Sequence, residues 1–281
     1  MARRLRFILD RLMLTLVAAA GSLGLLVLFS LLYSTVVKGL PVLLERGVSF
    51  LTDLPPTPLE EGGGIAPALV GTLLSSSIAV ALAVVLAFFT SFFTREYMFS
   101  KTSKLIESVI RAYNGIPTII VSMFVYMVIV VWMRRPSILA GAIALFIAVL
   151  PTAHYYLSTA LRSVEERYRE AALSLGFKRI HVFRYIYLGI AGKQIASGVL
   201  VTFIRAIGET APLLFTIGFL TNAVFKGIDQ PGNAISLLIF NYARTPYRSY
   251  HEVAWAATLV LMVIVLIAAL IIEVSMREVR K

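Results

Sequence analysis

The sequence predicts an all-α, polytopic membrane protein with about six transmembrane helices. Three observations predict it. Of 281 residues, 59% are hydrophobic and only 15% are charged. The apolar residues come in long uninterrupted runs rather than in the short alternating patterns of a soluble core. Six of those runs reach the roughly 20 helical residues that a hydrocarbon layer of about 30 Å requires.

The six spans are expected at Leu12 to Val37, Leu69 to Phe93, Leu105 to Met133, Ser137 to Leu161, Gln194 to Leu220 and Val253 to Ile272. The first follows Arg3, Arg4, Arg6 and Arg11. Its apolar run is too long for that of a cleaved signal peptide and lacks a clear cleavage site, so it reads as a span. Placing the N-terminus in the cytoplasm puts 17 Lys and Arg in cytoplasmic segments and 7 in external ones, with Arg111 and Arg205 inside spans. That asymmetry predicts both termini on the cytoplasmic side of the cytoplasmic membrane. It also accounts for the net charge of +11, so lipid and not nucleic acid is the expected surroundings. No cysteine is present, which excludes disulfides, thiolate metal sites and a catalytic thiol. The three histidines are scattered, and no metal site is expected.

Between the spans, the segment Lys38 to Ala66 contains "DLPPTPLEEGGGIAP" and predicts an irregular external linker whose early part lies along the membrane surface. Thr221 to Glu252 contains "DQPGN" and "ARTPYRS", again turn chemistry. With no internal repeat, the chain is expected to be one permease domain over 1–281, its core at about 66–276.

Span three opens with Glu107 and Arg111, an i, i+4 pair. Two readings fit Arg111: an interfacial anchor whose long side chain reaches the headgroups, or a contribution to the inner end of a substrate pathway. Pro117, after Gly115 and Ile116, predicts a kink. In span four, His154 stands beside Pro151 and Thr152 and reads as a hydrogen-bonded packing residue. The cytoplasmic loop over about 162–193, "RSVEERYREAALSLGFKRIHVFRYIYLGIAGKQ", has helix-forming composition with a glycine, Gly176, where a first helix would end. A compact helix, a glycine break and a second basic helix are expected.

Span five holds the main anomaly. Arg205 and Glu209 lie four residues apart inside "VTFIRAIGETAPLLFTIG", which predicts that they share a helix face. An arginine near the middle of a span costs roughly 2.5 to 3.5 kcal/mol on insertion scales unless it is compensated or faces water. Thr202 and Thr216 fall near the same stripe. Pro212 removes the hydrogen bond that would have gone to the Gly208 carbonyl and so loosens the helix. Two readings remain open: a salt bridge that neutralises itself against a neighbouring span, or an anion site. In the second, Arg205 supplies planar donors to an oxyanion and Glu209 accepts from a protonated oxygen or holds the arginine when the site is empty. Hydrogen phosphate has a proton to donate to such a carboxylate and sulfate has none.

The loop motif resembles a known pattern. Glu170, Ala171 and Ala172, then Gly176, then Ile186 and Leu188 are similar to the EAA loop of ABC importer permeases, the coupling helix that docks on a cytoplasmic ATPase. Gly189 stands where the pattern has proline, which predicts a flexible break there in place of a rigid one. "RAIGETAPLL" (Arg205 to Leu214) resembles the signature of permease subunits of the phosphate-specific ABC importer. "GGGIAPALVGTLL" (Gly62 to Leu74), "GIPTIIVSMF" (Gly115 to Phe124) and "IFNYARTPYRSYHEVAWAATLVL" (Ile239 to Leu261) agree, the last being similar to the PstA-type subunit. The resemblance implies a type I permease fold, phosphate passage at Arg205 and Glu209, and a heterodimer with a second homologous permease. It also implies two ATPase subunits and an external phosphate-binding protein. A phosphate-cradling loop is missing from this chain: its only Gly-Lys pair, Gly192 and Lys193, is followed by Gln194, and Tyr187 occupies the required first glycine. No catalytic residue and no cofactor is therefore expected here, with ATP and Mg on the partner ATPase. Importers for sulfate, molybdate or tungstate are the sister alternatives. A secondary carrier is disfavoured by six spans without a repeat.

Overall fold

A computed structural model describes residues 2–58, 60 and 62–277, with side chains described over 9–274. The described residues form α1 (Ala2–Arg46), α2 (Ser49–Thr52), α3 (Ala66–Glu96), α4 (Lys101–Tyr113), α5 (Thr118–Val125), α6 (Val131–Met133), α7 (Ile138–Arg162), α8 (Glu166–Ser174), α9 (Arg179–His181), α10 (Leu188–Gly208), α11 (Ile235–Tyr242) and α12 (Arg248–Arg277). Short π-helical stretches join α5 to α6 and α9 to α10. Five helical runs are long and apolar enough to cross a membrane: Leu9–Arg46, Ala66–Glu96, Ile138–Arg162, Arg179–Gly208 and Arg248–Val274. A sixth crossing is counted if α4 and the run Thr118–Met133 make one broken span.

At the centre α3 packs along α7. The contact is built from small residues: Ala79, Val80, Ala83 and Ala87 of α3 lie in clusters with Leu145, Val149, Ala153 and Leu157 of α7, and Ala206 of α10 joins them. Helices in lipid gain little from hydrophobicity alone, so close van der Waals approach through small side chains holds such pairs together. Ser137 caps α7 by accepting from the Ala140 N–H at 3.0 Å, and Ser100 caps α4 through the Ser103 N–H at 3.1 Å. A second cluster, Val42, Phe50, Ile65, Ala68, Ile235 and Leu238 with Val253, Ala254 and Ala257, joins α1, α2, α3, α11 and α12.

Several expectations change. Span three is not one helix over Leu105 to Met133: α4 and the run Thr118–Met133 meet at 99°. The reason is local. Pro117 has no N–H to continue the ladder and disfavours helical backbone at Ile116, and Asn114 and Gly115 supply the turn. Alone, α4 is only about 20 Å long at 1.5 Å per residue, and it carries Lys101, Lys104, Glu107 and Arg111.

Span five is also not continuous to Leu220. α10 stops at Gly208, Glu209 is extended (φ −75°, ψ 130°), and Pro212 sits in a single 3₁₀ turn, Ala211–Leu213. Pro212 is therefore past the helix end rather than a kink inside it. Gly189 makes no break, since it lies within α10.

The two segments expected to be external are more ordered than their turn chemistry predicts. The first continues α1 through Arg46, with Pro41 inside the helix. Gly39 allows the close approach to α12, because a Cβ there would stand 2.7 Å from the Trp255 carbonyl oxygen. The second contains α11, most of which is buried. The Asn233 carboxamide donates to the Leu220 carbonyl at 3.0 Å and accepts from the Ala234 N–H at 2.8 Å, while Thr72 of α3 accepts from the Ile235 N–H at 2.8 Å. Those bonds satisfy backbone groups that hydrocarbon would leave orphaned.

Candidate functional site

The broken end of α10 builds the site. Because α10 stops at Gly208, Glu209 does not share a helical face with Arg205 as its spacing predicts. The pair forms nonetheless, with Arg205 Nε 3.3 Å from Glu209 Oε1. Arg205 Nη1 also donates to Thr152 Oγ1 of α7 at 2.5 Å. Thr152 lies 10 residues before the end of α7, so the cluster stands about 15 Å from that end. The pair is not a sealed internal ion pair: the Arg205 side chain is 44% exposed and that of Glu209 is 21%. A guanidinium has five N–H donors, and only two are spent here.

The unwound segment is well tied. The Glu209 carbonyl accepts from Ser236 Oγ of α11 at 3.0 Å. The Pro212 carbonyl accepts from Ser122 Oγ of α5 at 2.9 Å and from Thr216 Oγ1 at 2.7 Å. Hydroxyls thus replace the helical partners that the break removed. Next to Thr152, His154 is buried, with Nδ1 2.9 Å from Thr90 Oγ1 and 3.2 Å from Ser91 Oγ of α3.

Thr202 and Thr216 do not join the pair. Both are fully buried and spend their hydroxyls on backbone, Thr202 on the Gly198 carbonyl at 2.8 Å and Thr216 on that of Pro212. Arg111 belongs to a different cluster, at the far end of α7. There Glu107 accepts from Arg111 Nη1 at 3.4 Å and from Arg162 Nη2, the last residue of α7. A cavity of about 300 Å³ opens beside them, lined also by Asn114, His154, Ser158 and Thr159. A larger cavity, about 1190 Å³, lies at the opposite end between Pro55, Pro56, Phe219, Tyr242 and Tyr250. Among the described residues no group of His, Cys, Asp or Glu could hold a metal.

The residues expected to couple to an ATPase fall on α8 and the turn after it. Glu170 and Ala171 are exposed, while Ala172 is buried against Val182, Phe183 and Tyr187. Gly176 adopts φ +81°, which a residue with a Cβ rarely takes, and turns the chain back. The residue that anchors this loop was not singled out by spacing. Glu96, at the end of α3, has a side chain only 1% exposed. Arg169 grips it in bidentate fashion, with Nε and Nη2 each 3.0 Å from one carboxylate oxygen. Tyr187 donates to it at 3.3 Å, and Arg179 lies 3.8 Å away. Glu166 bridges Arg169 and Arg95, each at 2.8 Å, and Arg95 donates to the Val164 carbonyl at 3.0 Å. The hydrogen bonds to Glu96 push the Arg169 guanidinium above its usual range. The available signal was a glutamate at the end of an apolar run facing a loop rich in arginine.

The arrangement of helices is that of known importer permeases. The chain superposes on a methionine ABC transporter, MetNI, in an inward-facing conformation with a TM-score of 0.60 at 16% identity, over 77% of this chain and 94% of that one. It also superposes on an amino acid ABC transporter solved with histidines, with a TM-score of 0.55 at 20% identity, over 76% and 92%. The fold is therefore that of the membrane component of an ABC transporter. Residues 79–281 match the model of the binding-protein-dependent transport system inner membrane component, and the chain belongs to that family. It is a membrane permease subunit and not an enzyme. Relatives include a probable phosphate transport system permease protein PstA of Methanocaldococcus jannaschii, 35% identical over 98% of this chain and 96% of its own. The phosphate transport system permease protein PstA of Pasteurella multocida is 31% identical over 92% and 91%.

Proposed function

We infer that the chain is the permease subunit of an ABC importer that moves inorganic phosphate across the cytoplasmic membrane, driven by ATP hydrolysis on a separate subunit. The observation that carries this is the Arg205 and Glu209 pair at a helix break, tied to Thr152 and left partly open. The names of the relatives above, phosphate transport permeases, point to the same ion. A guanidinium beside a carboxylate suits an oxyanion that still carries a proton: Arg205 donates to the ion, and Glu209 accepts from its P–OH. Sulfate offers Glu209 only repulsion. Between ions Glu209 holds Arg205, which avoids leaving a lone charge at this depth.

The same reading assigns the whole chain to one permease domain with both termini cytoplasmic. It pairs the chain with a second homologous permease, two ATPase subunits that carry ATP and Mg, and an external phosphate-binding protein. Glu170, Ala171 and Gly176 belong to the face that meets the ATPase, while Ala172 of the same motif is buried and seats α8 on Val182, Phe183 and Tyr187 behind it. Arg205, Glu209 and Thr152 line the pathway at mid-depth, and Arg111 its inner end. Thr202 supports the helix behind them. The ATPase movement reaches the path through α8 and the clamp on Glu96, and the ion moves only because it binds the two conformations unequally. The test is ATP-dependent uptake of labelled phosphate by the reconstituted complex, with sulfate and tungstate as competitors. Uptake abolished by Arg205→Ala and resistant to both competitors is expected. Uptake of sulfate or tungstate in preference to phosphate overturns the reading.

A further inference from the structure

The cluster at the loop end of α7 repeats the chemistry of the cluster at its middle. Near the middle of α7 a guanidinium, a carboxylate and a threonine hydroxyl meet: Arg205, Glu209 and Thr152. At the loop end Glu107 lies between Arg111 of its own helix and Arg162 of α7. The two arginines leave that group with a net positive charge. Their side chains are 67% and 56% exposed and line the 300 Å³ cavity beside them, with Arg111 Nη2 also donating to Ser108 Oγ at 3.4 Å. Asn114, Ser158 and Thr159 add further polar groups to the wall of the 300 Å³ cavity beside them.

The two clusters lie on one line. Thr152, Tyr155, Thr159 and Arg162 are spaced by three, four and three residues, which places them on a single face of α7. Of these, Tyr155, Thr159 and Arg162 are exposed. The face therefore runs for about 15 Å from the hydroxyl that holds Arg205 to the guanidinium that holds Glu107. Thr159 Oγ1 donates to the Tyr155 carbonyl at 2.8 Å, and Arg162 closes the last turn of the helix. The loop-end cluster is also placed to respond to the coupling loop. Arg162 is followed directly by Ser163, which donates to the Gln194 carboxamide oxygen of α10 at 2.5 Å. Its partner Glu107 lies on α4, beyond the 99° bend.

We propose that this cavity is an inner oxyanion station, where Arg111 and Arg162 receive a hydrogen phosphate ion that has left Arg205. Glu107 holds the two guanidiniums together between ions and accepts from the P–OH of the ion when it arrives. The proposal rests on the phosphate-import reading above. The shared ligand chemistry is a phosphate oxyanion, whose source is the free ion or the headgroup of a membrane lipid; the station takes the free ion.

The chain has no cysteine, so Ile110→Cys, on the cavity wall, introduces the one thiol of this subunit as a reporter. In the full reconstituted complex, with cysteine-free partners, the rate of labelling by a charged thiol reagent from the cytoplasmic side is measured with and without inorganic phosphate. Phosphate is expected to slow labelling about tenfold or more, the loss of one charge-assisted contact in Arg162→Gln is expected to abolish that protection, and Arg205→Gln is expected to keep it. Uptake by Arg162→Gln is expected to fall about tenfold with the half-saturating concentration of loaded binding protein unchanged. Absence of protection by phosphate overturns the station. So does protection that follows the fraction of anionic lipid rather than soluble phosphate, or protection lost in Arg205→Gln but kept in Arg162→Gln. Parent complex that moves no phosphate would sink the import reading itself, whereas normal uptake by Arg162→Gln would sink the inner station alone.

Discussion

Replacing Glu96 by Gln tests how α8 is held. The Glu96 carboxylate is 1% exposed and receives two bonds of 3.0 Å from Arg169, one of 3.3 Å from Tyr187 and the field of Arg179 at 3.8 Å. Removing one partner of a buried ion pair costs about 3 to 5 kcal/mol when the other charge is left alone. Arg169 is not left alone, because Glu166 stays 2.8 Å away and the Arg169 side chain is 18% exposed. The glutamine oxygen also still accepts one bond. The expected loss is therefore about 2 to 3 kcal/mol, below the range for complete isolation. The assay is hydrogen exchange of the α8 amides in the assembled complex. With each 1.4 kcal/mol worth tenfold, exchange over 166–174 is expected to rise about 30- to 150-fold, with the amides at the α3 and α7 contact unchanged. On the proposed coupling role of α8, phosphate moved per ATP hydrolysed is expected to fall in the same variant. Exchange within threefold of the parent would refute the clamp.

Other substitutions probe other links. Thr152→Val keeps the shape but removes the oxygen that accepts from Arg205 at 2.5 Å; the loss of a charged hydrogen bond, about 1.5 to 3 kcal/mol, is expected to slow phosphate uptake at least tenfold at unchanged complex yield. In Gly71→Ala the new Cβ would stand 2.0 Å from the Asn233 carbonyl oxygen. Overpacking of that kind costs about 1 to 3 kcal/mol, so a lower melting temperature of the purified subunit is expected, together with release of the α11 N-terminus. Gly176→Ala meets open space but a φ of +81°; the left-handed backbone costs about 1 to 2 kcal/mol, read as weaker recovery of the ATPase in a pull-down.

The six apolar runs were legible because hydrocarbon sets a length and a composition that no other environment demands. The breaks were less so. Pro117 was visible as a bend, but its 99° angle depends on Asn114 and Gly115 turning before it and on α4 carrying four charged residues that resist a spanning position. Pro212 pointed to a loosened helix, yet composition could not show that α10 stops at Gly208, because Thr210 to Leu220 remain apolar enough for a span. What ends the helix is tertiary: Ser122 and Ser236 accept the task of satisfying carbonyls that a helix would have used. The buried α11 read as a loop because its flanks are rich in turn residues, while its caps, Asn233 and Thr72, are far apart in sequence.

The candidate site was half legible. Arg205 and Glu209 stood out because charges in an apolar run need a reason. Their partner Thr152 did not, since a threonine in a span is ordinary and only the packing of α7 on α10 brings it to the guanidinium. Thr202 followed from helical spacing alone, and the structure turns it into the interior, onto the Gly198 carbonyl. Glu96 and Arg169, 73 residues apart, are joined only by the return of the coupling loop to the end of α3.

The most direct measurement of the central claim is the ratio of ATP-dependent phosphate to sulfate uptake by the reconstituted complex, before and after Glu209→Gln. On the proposed reading, the carboxylate at 3.3 Å from Arg205 would accept from a protonated oxyanion and repel an unprotonated one, whereas an amide can also donate. The ratio is predicted to fall at least tenfold, as expected for losing a charged hydrogen bond of about 1.5 to 3 kcal/mol. An unchanged ratio in a variant that still transports would contradict the assignment of Glu209 as the group that reads the proton on phosphate.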